Sequence, residues 1–271
     1  MTFLQSIIYG FISGFSEFTP ISSAAHQELL LYFWGAETRF RVLDLFVHLG
    51  MLAAIFASCR RLLSRIRRDR LLSTRTAKKH RQALAGVYDV KIAQTAAVPM
   101  IIGILLGSFI VKPGSDLPSI SLFLILNGLL LIFTQFVHQG NKDGKSFMIL
   151  DSIGMGVFGG LCAFTGISRV GASVSYAIYR GAEKPSSYQW ALLTSIPVMI
   201  LLIGLDIFGV LTASGLSVSF IYCFAGMISG YIGAYAAIVF MRYLMVNIGM
   251  SGFAYYSWGT ALFSFIIYLL T

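Results

Sequence analysis

The sequence predicts an all-α polytopic membrane protein: about six transmembrane helices plus two re-entrant helical hairpins related as an inverted repeat. Three observations lead there. Hydrophobic residues make up 57% of the chain and charged residues only 11%, with a mean hydropathy of +0.80, whereas an ordinary soluble domain carries about 25% charged residues. Apolar runs of about 20 residues, the length that crosses ~30 Å of hydrocarbon, recur along the 271 residues. Finally, segments 10–26 and 156–172 are diverged copies of one another, GFISGFSEFTPISSAAH lying over GVFGGLCAFTGISRVGA. A repeat built on Gly- and Pro-interrupted apolar segments points to the binding site of a membrane protein. The whole chain, 1–271, reads as a single integral membrane domain.

Taken in order, the first element is hairpin 1, about 3–36. Its apolar run is broken at Thr19-Pro20, where proline lacks an amide hydrogen and disfavours helix in the residue before it, so a re-entrant hairpin fits better than a full span. The opening MTFLQSIIYG has no basic n-region and no small-residue cleavage site, which reads as mature protein and not as a signal peptide. A span at 43–58 follows. Segment 59–91 holds eleven of the twenty Lys and Arg residues, Arg60 through Lys91, and reads as a basic cytoplasmic loop by the positive-inside rule. The net charge of +9 is on this reading a topology signal, with anionic membrane lipids as its neighbours and no nucleic acid as partner.

Further spans are expected at 92–111 and 119–137, then hairpin 2 at about 149–184, broken at Thr165-Gly166, then spans at 188–208, 218–241 and 252–270. With 59–91 inside, hairpin 1 begins and ends outside, and hairpin 2 begins and ends on the cytoplasmic side. The two copies then point in opposite directions and their tips meet near the bilayer centre. Irregular backbone at that depth is tolerated only where it is buried in protein or lines a wet cavity, so the topology implies a cavity. Cys59, Cys162 and Cys223 show no disulfide or zinc spacing and read as packing residues. The Gly226/Gly230 pair reads as close packing inside one chain. Tyr255, Tyr256 and Trp258 fit an interfacial belt without a site role.

Each hairpin break is followed by serine: Ser22-Ser23 in the first copy, Ser168 in the second. Serine is a favoured N-cap, and a helix starting there turns its unpaired amides and the positive end of its dipole into the cavity, which makes an anion site. Arg169 adds a permanent positive charge whose fork of donors suits phosphate oxygens. His26 lies one helical turn beyond Ser22 and Ser23. Glu17 would repel a phosphate unless a proton or a hard cation such as Mg²⁺ stands between them, or unless it acts as a base. A plainer reading is open: Glu17 and Arg169 as a structural ion pair between the hairpins, and His26 as a hydrogen-bonded core residue. Ionisable groups inside a membrane are costly and mark function by default.

The run SEFTPISSAAH, together with LDLFVHLG at 43–50 and TGISRVGAS at 165–173, resembles the undecaprenyl-diphosphate phosphatase family, the bacitracin-resistance membrane phosphatases of cell-wall synthesis. The resemblance covers most of the chain. It implies hydrolysis of the membrane-embedded C55 diphosphate to the monophosphate carrier, a divalent cation, a polyprenyl diphosphate substrate and a place in the bacterial cell membrane. Carried over by motif, Glu17 matches the second glutamate of the family's pair, Ser22-Ser23 the serine pair and His26 the histidine. Ser168, Arg169 and Ser173 match the second motif, Asp44 an acidic position, and His48 a Gln/His position. The chain departs from the pattern at Ser13, where the first glutamate of the pair would stand, at Ala24-Ala25, at Thr165 and at Val170.

On this reading Glu17, Ser23, His26 and Arg169 are catalytic, and Ser22, Ser168 and Ser173 bind substrate. Ser23 is the candidate nucleophile, and His26 takes its proton or protonates the leaving oxygen. Glu17 orients His26 or holds the cation, with Asp44 as a further candidate metal ligand. The alternative, from a different class, is a protein that binds polyprenyl phosphate and carries it across the membrane without cleaving it. Such a protein needs the anion grip of Arg169 but neither the nucleophile nor the metal.

Overall fold

The computed structural model describes residues 1–36, 40–75, 85–110, 116–138, 140–212 and 218–270. Its elements in chain order are α1 (Phe3–Glu17), α2 (Ser23–Phe33), α3 (Arg41–Arg75), α4 (Ala85–Ile110), α5 (Leu117–Ile132), α6 (Ile149–Gly160), α7 (Arg169–Tyr179), α8 (Lys184–Thr212), α9 (Phe220–Asn247) and α10 (Phe253–Leu270). Among the described residues, six helical stretches are long and apolar enough to cross a membrane: Arg41–Leu71, Ala85–Gly107, Leu117–Gln135, Lys184–Thr212, Phe220–Asn247 and Phe253–Leu270. They fall on the six expected spans. Their outer faces carry large apolar side chains such as Leu106, Leu211 and Leu262, the surface a lipid-embedded bundle presents.

One boundary differs from the sequence reading. Segment 59–91 is largely helical and not a loop: α3 continues through Arg60, Arg61, Arg65, Arg67, Arg68 and Arg70 to Arg75, and Lys91 lies within α4. Between Cys59 and Arg75 there is neither glycine nor proline, and arginine is a good helix former. The backbone therefore has no reason to stop where the hydropathy does. Lys78, Lys79 and Arg81 lie outside the described residues.

Both repeat copies fold as helix, break, helix. α1 and α2 are separated by residues 18–22, while α6 and α7 are separated by a 3₁₀ turn at Leu161–Ala163 and residues 164–168. α2 and α7 have 11 residues each, about 16 Å of helix, which is far short of a bilayer. Matched glycines seat both first arms. An added Cβ on Gly10 or Gly14 would stand 2.2 Å from a carbonyl oxygen of Gly226 or Gly230 on α9, and one on Gly156 would stand 2.1 Å from the Ala96 oxygen on α4. The Gly226/Gly230 pair thus serves packing within the chain.

The two breaks meet and satisfy each other's backbone. Ser168 Oγ donates to the Thr19 carbonyl at 3.1 Å, and Ser22 Oγ accepts from the Gly166 amide at 3.2 Å. Tyr188 OH donates to the Phe18 carbonyl at 3.1 Å. Asn127, fully buried on α5, bridges both breaks: its Nδ2 donates to the Pro20 carbonyl at 2.9 Å and its Oδ1 accepts from the Ser168 amide at 2.9 Å. A buried backbone group left unpaired costs about 1–3 kcal/mol. Asn127→Leu should therefore destabilise the detergent-solubilised protein by about that amount for each of two orphaned backbone groups, and Asn127→Asp, which sets a carboxylate oxygen against the Pro20 carbonyl, by at least as much. Thermal unfolding measures both; a midpoint unchanged in Asn127→Leu would show that the breaks do not depend on this bridge.

Candidate active site

Where the two breaks join, a cavity of about 170 Å³ opens between the hairpins and the spanning helices. Glu17 at the end of α1, Ser23 at the start of α2, and Ser168 and Arg169 at the start of α7 line it, with His48 of α3 opposite. Cys162, Ile167 and Leu202 form part of the remaining wall. Cys162 is thus a cavity residue and not only packing. A larger recess of about 850 Å³ follows the arginines of α3. Its lining comes from that one helix, so it is an open basic face and not an enclosed site.

The caps form as the serines predict. Ser168 Oγ accepts from the Gly171 amide at 3.1 Å and Ser22 Oγ from the Ala25 amide at 3.5 Å. Both short helices therefore begin at the cavity with the positive end of their dipoles turned toward it. Ser22 reaches its cap position with φ of 64°, the left-handed region that disfavours a side chain. Its bonds to Ala25 and Gly166 hold it there.

Arg169 decides the electrostatics. Its side chain is 5% exposed, and Nη2 donates to Glu17 Oε1 at 2.6 Å. Nε and Nη1 are equally buried and have no partner. A guanidinium cannot shed its charge, and burying unpaired donors is unfavourable. The Glu17–Arg169 pair therefore exists as the plainer reading expected, yet it accounts for only part of the arginine's donors. An anion in the cavity would satisfy the rest.

The remaining expected site residues fall elsewhere. His26 is absent from the cavity wall: Nδ1 lies 2.8 Å from the Ser22 carbonyl and Nε2 lies 2.7 Å from Tyr256 OH, so both ring nitrogens are engaged. Tyr256, given only a belt role by the sequence, is its partner. Ser173 donates to the Met155 carbonyl at 3.2 Å and binds α7 to α6. Ser22 is committed to the two breaks and is likewise not on the wall. Asp44, the further candidate metal ligand, is buried off the cavity wall and accepts from Tyr9 OH at 2.6 Å. The position of the missing glutamate is closed, since Ser13 is fully buried and accepts from Gln27 Nε2 at 3.1 Å.

These placements test the divalent cation that the sequence implies. Among the described residues no cluster of three or more His, Cys, Asp or Glu could hold a metal, and Glu17 is the one carboxylate lining the cavity. Magnesium commonly takes one or two carboxylates and completes its shell with water and substrate phosphate. The donor set fits only that arrangement, with Glu17 as the protein ligand.

Sequence reading missed the pairing of His48 with Asp206, whose Nδ1 and Oδ2 lie 2.6 Å apart. A carboxylate within the last two turns of a spanning helix was the available signal. Asn127 gave none, because a lone amide in an apolar run does not disclose its partners.

Fold and cavity together define a polytopic membrane protein that holds a fixed arginine and a carboxylate, beside two helix N-termini, ready for an anionic group. The family profile described as bacitracin resistance protein BacA matches residues 6–263, and the chain belongs to that family. It is similar to the undecaprenyl-diphosphatase of Treponema denticola, at 29% identity over 263 residues that cover 94% of each chain. The undecaprenyl-diphosphatase of Halothermothrix orenii is 26% identical over 258 residues, 95% of each. Undecaprenyl-diphosphatase 1 of Shouchella clausii is 29% identical over 277 residues, 98% of this chain and 96% of that one.

The two adjacent serines should separate cleanly. Ser22→Ala removes a cap and a bond between the hairpins and should lower stability by about 1–2 kcal/mol, whereas Ser23→Ala should leave the unfolding midpoint unchanged. Unfolding of both variants in detergent checks this; equal destabilisation would contradict the assignment of Ser22 to structure and Ser23 to the cavity.

Proposed function

We propose that this chain hydrolyses undecaprenyl diphosphate to undecaprenyl phosphate and inorganic phosphate, recycling the lipid carrier for cell-wall synthesis and so conferring bacitracin resistance. The observation that carries the reading is the buried Arg169, with two donors unpaired beside the helix N-termini. Its membership of the BacA family and the names of its relatives point the same way. Cleavage is favoured over carriage alone because Ser23, a hydroxyl that binding alone would not need, stands on the same wall.

The prenyl tail lies among the spanning helices and the diphosphate enters the cavity. Arg169 Nε and Nη1 and the first amides of α2 and α7 hold its oxygens. Such preorganised donors carry most of the catalysis of phosphoryl transfer, which depends mainly on positioning and on stabilising charge. Ser23 Oγ attacks the terminal phosphorus and the bridging oxygen leaves with the carrier monophosphate. Glu17 orients Arg169 through their 2.6 Å contact. With phosphate oxygens and water, Glu17 would hold the divalent cation, which when bound neutralises charge on the diphosphate. His26 is a positioning residue that steadies the Ser22 carbonyl at the start of α2. The two hairpins enter as an inverted repeat from opposite sides of a bacterial cell membrane, with the basic end of α3 cytoplasmic.

Phosphate release from C55 diphosphate by the purified chain in detergent, with Mg²⁺ and with chelator, tests the reading. Arg169→Ala should lower kcat/KM by about 10²-fold or more, and chelation should slow the wild type. Arg169→Ala with near-normal turnover would remove the two-hairpin site, and wild type with no phosphate release would remove the phosphatase.

A further inference from the structure

We propose that His48, held by Asp206, is the general base that takes the proton from the attacking Ser23 hydroxyl. The inference rests on the phosphatase reading above and names a catalytic group that the serine and arginine motifs leave unassigned.

A serine hydroxyl is a weak nucleophile until a neighbouring base accepts its proton. The described titratable side chains on the cavity wall are Glu17, His48, Cys162 and Arg169. Arg169 is permanently protonated. Glu17 Oε1 accepts from Arg169 Nη2 at 2.6 Å, so this carboxylate is already engaged by the guanidinium. His26 has both nitrogens engaged and lies off the wall. That leaves His48.

The geometry of His48 is that of an oriented base. Nδ1 lies 2.6 Å from Asp206 Oδ2, and the two side chains are only 14% and 16% exposed. A carboxylate only accepts, so the imidazole proton sits on Nδ1 and Nε2 keeps its lone pair. The dyad joins α3 to α8 across 158 residues of sequence, which sets the ring at a fixed angle to the cavity. Two ionisable groups facing each other inside spanning helices are costly to keep and mark function by default, proton relays among the functions. The charged groups around the ring are Asp206 on α8, Glu17 on α1, Asp44 on its own helix, where Tyr9 bonds it, and Arg169 across the cavity.

In the first step the Ser23 Oγ–P bond forms as the bond from phosphorus to the bridging oxygen breaks, the electron pair leaving with the carrier phosphate. The Oγ proton passes to His48 Nε2 and from there to the departing phosphate oxygen. In the second step water attacks the phosphoserine, giving one proton to Nε2 while Oγ leaves with its electron pair, and His48 returns that proton to Oγ.

The test uses the full chain in detergent with C55 diphosphate, comparing wild type with His48→Gln, His48→Ala, Asp206→Asn and the His48→Gln/Asp206→Asn double variant. His48→Gln should lower kcat by about 10²–10⁴-fold with KM and the thermal midpoint little changed. It should also abolish the limb of the pH–rate profile in which activity rises with pH. Added imidazole should restore part of the kcat of His48→Ala. Asp206→Asn should cost little more once His48→Gln is present, because residues acting as one unit are not additive. A kcat within a few-fold of wild type in His48→Gln, or no rescue by imidazole, overturns the inference while leaving the phosphatase in place. Wild-type protein that releases no phosphate overturns both.

Discussion

An interrupted backbone at membrane depth has nowhere to place its amides and carbonyls except on other parts of the protein. That constraint organises this fold. The carbonyls of Phe18, Thr19 and Pro20 in one break and the amides of Gly166 and Ser168 in the other are taken up by Tyr188, Ser168, Asn127 and Ser22. Each break supplies a serine to the other. Neither hairpin could sit where it does alone, and the cavity between them follows from their joining. The close seating of α1 on α9 and of α6 on α4, permitted by Gly10, Gly14 and Gly156, brings the two tips to one place.

The same joining sets the electrostatics. Two helix N-termini converge at one cavity, and Arg169, the first residue of α7, enters with them. Glu17 ends α1 and meets Arg169 from the opposite hairpin. One carboxylate against one guanidinium leaves part of the guanidinium unpaired and buried, so the cavity presents donors complementary to an anion. His48 reaches the cavity from the spanning bundle and Asp206 holds it from behind, so the cavity wall is shared between the two hairpins and the helices that enclose them.

Much of this was legible in the sequence, for identifiable reasons. Six spans, two breaks and two capping serines follow from hydropathy, proline chemistry and helix-end preferences, all of which are local. Glu17, Ser23, Ser168 and Arg169 could be placed together because a repeat makes two distant segments comparable. What was not legible depends on partners far apart in sequence. Asn127 reads as an isolated amide until Pro20 and Ser168 close on it. His26 sits one turn from the serines yet turns to Tyr256, 230 residues away, because helical spacing fixes a face and not the neighbour it meets. Asp44 reads as a candidate metal ligand until Tyr9, 35 residues away, is found bonded to it. The basic stretch after Cys59 read as a loop because charge marks where hydrocarbon ends, whereas the helix ends only where the backbone must.

The central claim is that the diphosphate headgroup binds where the two breaks meet. An experimental structure of the wild-type chain with a non-hydrolysable C55 diphosphate analogue tests it most directly. The account predicts phosphate oxygens within about 2.7–3.2 Å of Arg169 Nε and Nη1, with the terminal phosphorus facing Ser23. A headgroup seated on the arginine face of α3, with Arg169 still bonded to Glu17 alone, would contradict it.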